Sequence, residues 1–130
     1  MSVPPPKLLR RAQSGDAESQ YTLAAMYGAG DFLDKNDVEA VRWYRSAAEQ
    51  GHAEAQRNLG LMYAYGEGVA QDFAECIHWI FKSANSGSID AMKALATAYE
   101  HGMYGLEQDI VQAKMWLDRS AKSKVPGSES

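Results

Sequence analysis

Residues 51–66 read GHAEAQRNLGLMYAYG, and this stretch decides the fold because the chain repeats it at an even step. Residues 15–30 read GDAESQYTLAAMYGAG and residues 87–102 read GSIDAMKALATAYEHG, each displaced from it by 36 residues. All three stretches share a glycine at each end, a leucine and a tyrosine. A unit of this length repeated in register predicts a stack of similar helical or strand units, not one irregular core.

The composition limits the class of protein. The 130 residues fit one domain, and the net charge of −4, without a polybasic run, argues against nucleic acid and anionic membranes as partners. No apolar stretch approaches the ~20 residues of a membrane helix, and no secretory signal is visible. The single cysteine, Cys76, cannot form an internal disulfide. We therefore expect a cytoplasmic protein.

Each repeat is predicted to form two helices. In the second repeat Ala55, Leu59, Met62 and Tyr63 are separated by steps of four, three and one, which places them on one face of a helix. Gly66 follows where a left-handed residue usually ends a helix. The pattern predicts first helices over about 17–28, 53–65 and 89–101.

The second helix of each repeat begins at a predicted capping box. A side-chain oxygen of Asn or Asp accepts from an orphan backbone N–H, and a Glu or Gln three residues later reaches back to the cap. The three pairs are Asn36 with Glu39, Asp72 with Glu75, and Asp109 with Gln112. They predict second helices over about 37–50, 72–86 and 109–123.

The chain opens with half a repeat, because residues 8–15 align with residues 44–51. We expect Pro4, Pro5 and Pro6 to be extended before this lone helix. A polar, flexible tail is predicted at the other end. The expected organisation is one repeat domain, divided into a half-repeat over 6–15, repeat one over 16–51, repeat two over 52–87, repeat three over 88–124 and a tail over 125–130.

Aromatic residues recur at two positions of the repeat. A ligand cage of tryptophans is conceivable, but the register favours side chains packed between one helix pair and the next. We expect core positions for Trp43, Trp79, Trp116, Tyr27, Tyr63 and Tyr99. Close approach of helices is expected at the small equivalent residues Ala24, Gly60 and Ala96.

The motifs of catalytic and cofactor-binding proteins are weak in this sequence. The glycine-rich turns follow no strand and lack the Lys-Ser/Thr pair of a phosphate loop. Cys76 and His78 lie two residues apart on a helix, so their side chains point about 200° apart, which disfavours a shared metal. No serine, histidine and acid have the spacing of a catalytic trio. The sequence therefore predicts no catalytic residue, no cofactor and no metal.

The second repeat resembles the Sel1-like repeat, a relative of the tetratricopeptide repeats. The resemblance rests on AEQGHAEAQ at residues 48–56, on Leu59-Gly60-x-Met62-Tyr63, on GEGV at residues 66–69, and on Asp72 and Trp79. It extends over about residues 12–121 and implies an all-α, right-handed α/α solenoid with an adaptor role and no shared cofactor or catalytic set. Some secreted members carry a disulfide in each repeat, which this chain lacks.

A concave binding face is the functional expectation. In tetratricopeptide-like stacks the first helices line this face, and positions off the Leu-small-Tyr stripe point into it. The same register also places Ala25, Gly28 and Ala64 there. The residues expected to contact a protein or peptide partner are Glu18, Tyr21, Glu54, Arg57, Leu61, Tyr65, Asp90, Lys93, Thr97 and Glu100.

Other functions stay open at the level of sequence. One alternative is self-association, because the last helix pair exposes a face on which a second copy can stack to form a homodimer. A narrower variant is an immunity-type inhibitor of one toxin or enzyme. A hydrolase, as proposed for a few cysteine-rich relatives, is the remote alternative.

Overall fold

The computed structural model describes residues 3–124, in which seven helices and no strand are present. Each helix packs against the helices that precede and follow it in the chain. The predicted all-α solenoid of helix pairs is therefore confirmed, whereas the tail over 125–130 lies outside the described residues. The helices are α1 (Pro6–Gln13), α2 (Ala17–Ala29), α3 (Asp37–Glu49), α4 (Ala53–Tyr65), α5 (Phe73–Asn85), α6 (Ile89–His101) and α7 (Ile110–Lys124).

The lone first helix, α1, begins at Pro6, so the expectation that all three prolines are extended is wrong at this residue. Pro5 is extended (φ −53°, ψ 128°) and precedes the first turn. Proline suits the first helical position because the backbone N–H that it lacks has no partner there, and because its fixed φ is already helical. No helix within residues 3–124 is both long enough and apolar enough to span a bilayer.

The first helix of each repeat ends at a left-handed glycine, as predicted; φ is 68° at Gly66. A side chain from the following loop also satisfies one of the carbonyls that the end of the helix leaves unpaired. Each of these donors lies 2.8 Å from its acceptor, and the three pairs are Lys35 Nζ to Gly28 O, Gln71 Nε2 to Ala64 O, and Gln108 Nε2 to Glu100 O.

Only one of the two hydrogen bonds of each predicted capping box forms at the start of the second helices. The Oδ1 atoms of Asn36, Asp72 and Asp109 each accept a backbone N–H three residues later, at 3.1 Å. The reciprocal bond from Glu39, Glu75 and Gln112 is absent, because the cap residue's own N–H donates to a tyrosine carbonyl of the preceding helix. Those donations run from Asn36 to Tyr27, Asp72 to Tyr63 and Asp109 to Tyr99, at 2.8–2.9 Å.

The core follows the repeat. The tryptophans at positions 43, 79 and 116 are 7–9% exposed, which confirms their predicted burial. Gly60 allows a close approach, since a Cβ there would lie 3.0 Å from the Cys76 carbonyl oxygen. The tyrosines at positions 27, 63 and 99 are only partly buried against the core. The Tyr63 hydroxyl accepts a hydrogen bond from Arg45.

Candidate functional site

The ten residues expected to contact a partner all lie on α2, α4 and α6, and we call the side of the stack that these helices form the first-helix face. None of the ten is buried. Ala64, which the same register assigned to this face, is buried, because it packs in the cluster with Cys76 and Ile80. The ten residues fall into local clusters on this face, and Lys93 lines two neighbouring hollows.

His52 organises the first cluster. Its ring stacks on Tyr21 with centroids 4.6 Å apart, and its Nε2 lies 2.9 Å from Glu18 Oε1. His52 Nδ1 accepts the backbone N–H of Ala55 at 3.1 Å, so His52 caps α4. A neutral imidazole that accepts at Nδ1 carries its proton at Nε2 and donates it to Glu18. Glu18 and Tyr21 thus link repeat one to repeat two.

Glu54 makes the equivalent link one repeat later. Ser88 caps α6 through its Oγ, and the same hydroxyl donates to Glu54 Oε2 at 3.3 Å. His52 has the same two roles towards α4 and Glu18. Arg57 Nε pairs with the other oxygen of Glu54 at 3.3 Å. Asp90 and Lys93 join Glu54 and Ser88 around a surface hollow of about 460 Å³.

A groove of about 330 Å³ opens between the C-terminal halves of α2 and α4. Leu61 and Tyr65 line it, whereas the facing helix contributes only small residues. Sequence reasoning missed seven further residues that line it: Ala29, Lys35, Asp37, Tyr44, Asn58, Met62 and Glu67. The sequence did contain a signal for this groove, because Ala25 and Ala29 of repeat one are much smaller than Leu61 and Tyr65 at the equivalent positions of repeat two.

Tyr44 lines the groove with little of its surface exposed. Burial, and to a smaller extent the neighbouring Tyr21, raises the pKa of the Tyr44 hydroxyl, while a hydrogen bond with Asn58 opposes the shift. The hydroxyl therefore stays protonated at neutral pH and can donate as well as accept.

A second groove, of about 460 Å³, lies between α6 and α7. Lys93, Thr97 and Glu100 line it together with apolar residues of α7. Leu117 is 54% exposed there, whereas Ile80, its equivalent in repeat two, is 1% exposed beneath α6. This groove is also more polar than the equivalent place in repeat two. Glu100 and Lys114 line it, whereas the equivalent residues of repeat two are Ala64 and Ile77.

Within residues 3–124, no three His, Cys, Asp or Glu residues are grouped so that they could hold a metal ion. The Cys76 thiol is fully buried, and burial raises its pKa to about 11. Such a thiol is almost wholly protonated at neutral pH and is a poor nucleophile.

Comparisons with known proteins agree with this architecture. The Sel1 repeat model matches residues 17–52, 53–88 and 89–124. A Sel1 repeat protein from Oxalobacter formigenes is 32% identical, with a TM-score of 0.84 over 92% of this chain and 90% of that chain. A protective antigen present in uropathogenic Escherichia coli strains, described as displaying an SLR fold, is also 32% identical, with a TM-score of 0.84. That match covers 91% of this chain and 25% of the antigen.

The search of curated proteins found no match. The three segments matched by the family model follow one another without a gap and cover most of the chain. The chain belongs to the Sel1 repeat family.

Proposed function

We propose that the protein is a non-enzymatic adaptor that binds a protein or peptide partner on the first-helix face. Sel1 repeats generally mediate protein–protein interactions. The observation that carries the proposal is the exposure of large apolar side chains beside charged ones: Tyr65 is 67% exposed, and Leu61 and Tyr21 are partly exposed. Aromatic anchors flanked by charges are typical of protein interfaces.

We also propose the cytoplasm as the site of action, because Cys76 is a free buried thiol, as reducing compartments maintain. An immunity-type inhibitor of one toxin or enzyme is a narrower form of the same proposal. It differs only in the identity of the partner.

The test compares capture of partners from native lysate by the wild type and by a Tyr21→Ala/Arg57→Ala/Lys93→Ala variant. The matched control is Val38→Ala/Met115→Ala/Lys122→Ala, whose residues are exposed on the second helices. Partner recovery should fall with the first variant and not with the control, provided both retain the helical signal of the wild type. Equal recovery of every partner by all three proteins would rule out the first-helix face.

Self-association is a second candidate, favoured by one observation. Ile110 and Leu117 are 51% and 54% exposed at the groove between α6 and α7. Glu100 and Lys114 line the same groove with opposite charges, so two copies related by a two-fold axis can pair them. Light scattering should then show mass rising with concentration, and Leu117→Glu should abolish the rise. A strict monomer at high concentration excludes this candidate.

A further inference from the structure

We propose that the groove between α2 and α4 binds a peptide segment that presents one large apolar side chain beside a basic residue. This inference rests on the proposed partner binding by the first-helix face, and it names the chemistry that one part of that face selects. Three features of the groove carry it: its shape, its hydrogen-bonding groups and its charge.

The shape of the groove suits a single large side chain. Ala25, Gly28 and Ala29 leave the α2 side low, while Leu61 and Tyr65 rise on the α4 side. The volume of about 330 Å³ stands at the small end of ligand sites, which run from roughly 300 to 1,000 Å³. This volume accommodates one aromatic or long aliphatic side chain.

Hydrogen-bonding groups stand beside this apolar space. Asn58 is partly exposed, and its amide carries both donors and an acceptor. The hydroxyl of Tyr44 shares a hydrogen bond with it, and each group keeps further hydrogen-bonding capacity beyond that bond. These neutral groups suit the alternating N–H and C=O groups of a peptide backbone, which must be satisfied as the peptide loses water.

The charges at the edge of the groove favour a cation. The charge of Lys35 is already paired, because its Nζ donates to the Gly28 carbonyl at 2.8 Å and to the Asp37 carboxylate at 2.9 Å. The exposed carboxylate of Glu67 has no ion-pair or hydrogen-bond partner among residues 3–124. A basic group next to the bound apolar side chain therefore meets an unpaired negative charge, whereas an acidic peptide is repelled.

The test selects binders from a randomised heptapeptide library displayed on phage. We expect the enriched peptides to carry Phe, Tyr, Trp, Leu or Met within two positions of Lys or Arg. Their affinities are then measured with synthetic peptides by fluorescence anisotropy.

The groove is filled with Ala25→Leu/Ala29→Tyr. Leu and Tyr stand at the equivalent positions 61 and 65 of repeat two, so the repeat accommodates both side chains. An unchanged unfolding midpoint and circular dichroism spectrum confirm that this variant folds. Peptide affinity should fall by about tenfold or more, the size expected when a central anchor loses its pocket.

The charge requirement is tested with Glu67→Lys, and Glu107→Lys on the loop of repeat three is the matched control. The first substitution should weaken the selected peptides and shift a new selection towards Asp- and Glu-bearing sequences. The control should change neither property. Enrichment of acidic peptides by the wild type, or the same response to both substitutions, overturns the proposal.

The remaining outcomes are also decisive. If the library yields no enriched peptide, or if peptides bind the filled variant as tightly as the wild type, the groove is not a peptide site. If filling the groove changes the oligomeric state, the groove binds a second copy of the chain. If the Tyr21→Ala/Arg57→Ala/Lys93→Ala variant still loses its partner in these cases, the proposed function stands and only this inference fails.

Discussion

The backbone of Gly68, in the loop between α4 and α5, lies directly against the carbonyl group of Asp37 at the start of α3. A Cβ on Gly68 would lie 2.6 Å from the Asp37 carbonyl carbon and 3.0 Å from Val41 Cγ2. The φ of Gly68 is +74°, a conformation that disfavours any side chain. The contact connects the loop of repeat two to the second helix of repeat one.

Gly68→Ala should destabilise the protein much more than Gly105→Ala does. Gly105 also has a left-handed φ, of +82°, but no atom of residues 3–124 other than its chain neighbours would lie within 4 Å of its Cβ. Backbone strain alone should cost Gly105→Ala about 1 kcal/mol, while overlap with Asp37 raises the loss for Gly68→Ala to about 3 kcal/mol. Urea unfolding measures both losses, and equal values would mean that the repeats do not meet at Gly68.

Ser86→Gln should stabilise the protein. In repeat one, Gln50 Nε2 donates to Gln20 Oε1 at 2.9 Å. In repeat two the equivalent acceptor, Gln56 Oε1, is buried and has no partner in the described part of the chain, because Ser86 is too short to reach it.

Ser86 and Gln50 have the same backbone geometry, with φ near −87° and ψ of 0°. The substitution should therefore restore the pair and gain about 1 kcal/mol of unfolding free energy. The gain should vanish in a Gln56→Met background, since Met92 occupies that position in repeat three. A gain that persists there would assign it to helix propensity.

His52→Ser should be more stable than His52→Ala by about 1 kcal/mol, because serine retains a cap at the N-terminus of α4. Ser88 performs both tasks of His52 in the next repeat, accepting the N–H of Ala91 and donating to Glu54. Both variants lose the stacking on Tyr21, so the difference between them isolates the cap and the link to Glu18. Thermal unfolding measures it, and identical midpoints would contradict the assigned cap.

Cys76 should lower the stability of the fold at alkaline pH. Burial raises the pKa of its thiol from 9.0 to about 11, so between these values the unfolded chain releases a proton that the folded chain retains. Stability therefore falls as pH rises through this window, by up to about 2 to 3 kcal/mol. Alanine stands at the equivalent positions 40 and 113, so Cys76→Ala fits the repeat. This variant should lose less unfolding free energy between pH 9 and 11 than the wild type does. If the unfolding free energies of the two proteins fell in parallel with pH, Cys76 would not be the cause of the loss.

Trp79→Ala should cost about 3–5 kcal/mol because it empties a large core position. Trp79→Phe should cost much less than the alanine substitution. It keeps most of the apolar volume, and it removes an indole Nε1 that is buried without a partner in the described part of the chain. Tyr65→Ala, at an exposed position of α4, is the control and should change stability by about 0.5 kcal/mol or less. A wild-type unfolding midpoint in Trp79→Ala would place the indole outside the core.

The sequence alone predicted those parts of the fold that depend on neighbours a few residues apart. The helix ends depend on contacts within one helical turn. Examples are the left-handed end at Gly66 and the Oδ1 caps of Asn36, Asp72 and Asp109. Burial of the tryptophans could be predicted as well, because a position repeated in every unit faces the same neighbours each time.

The tertiary structure decided every feature that joins residues roughly thirty apart. The His52 link to Glu18 and the Gln50 link to Gln20 each depend on how far one repeat is displaced from the next. The groove between α2 and α4 depends on the same displacement, since its walls come from different repeats. A repeated sequence determines what each helix pair contains, but only the packing of one pair on another determines which of its side chains meet and which remain exposed.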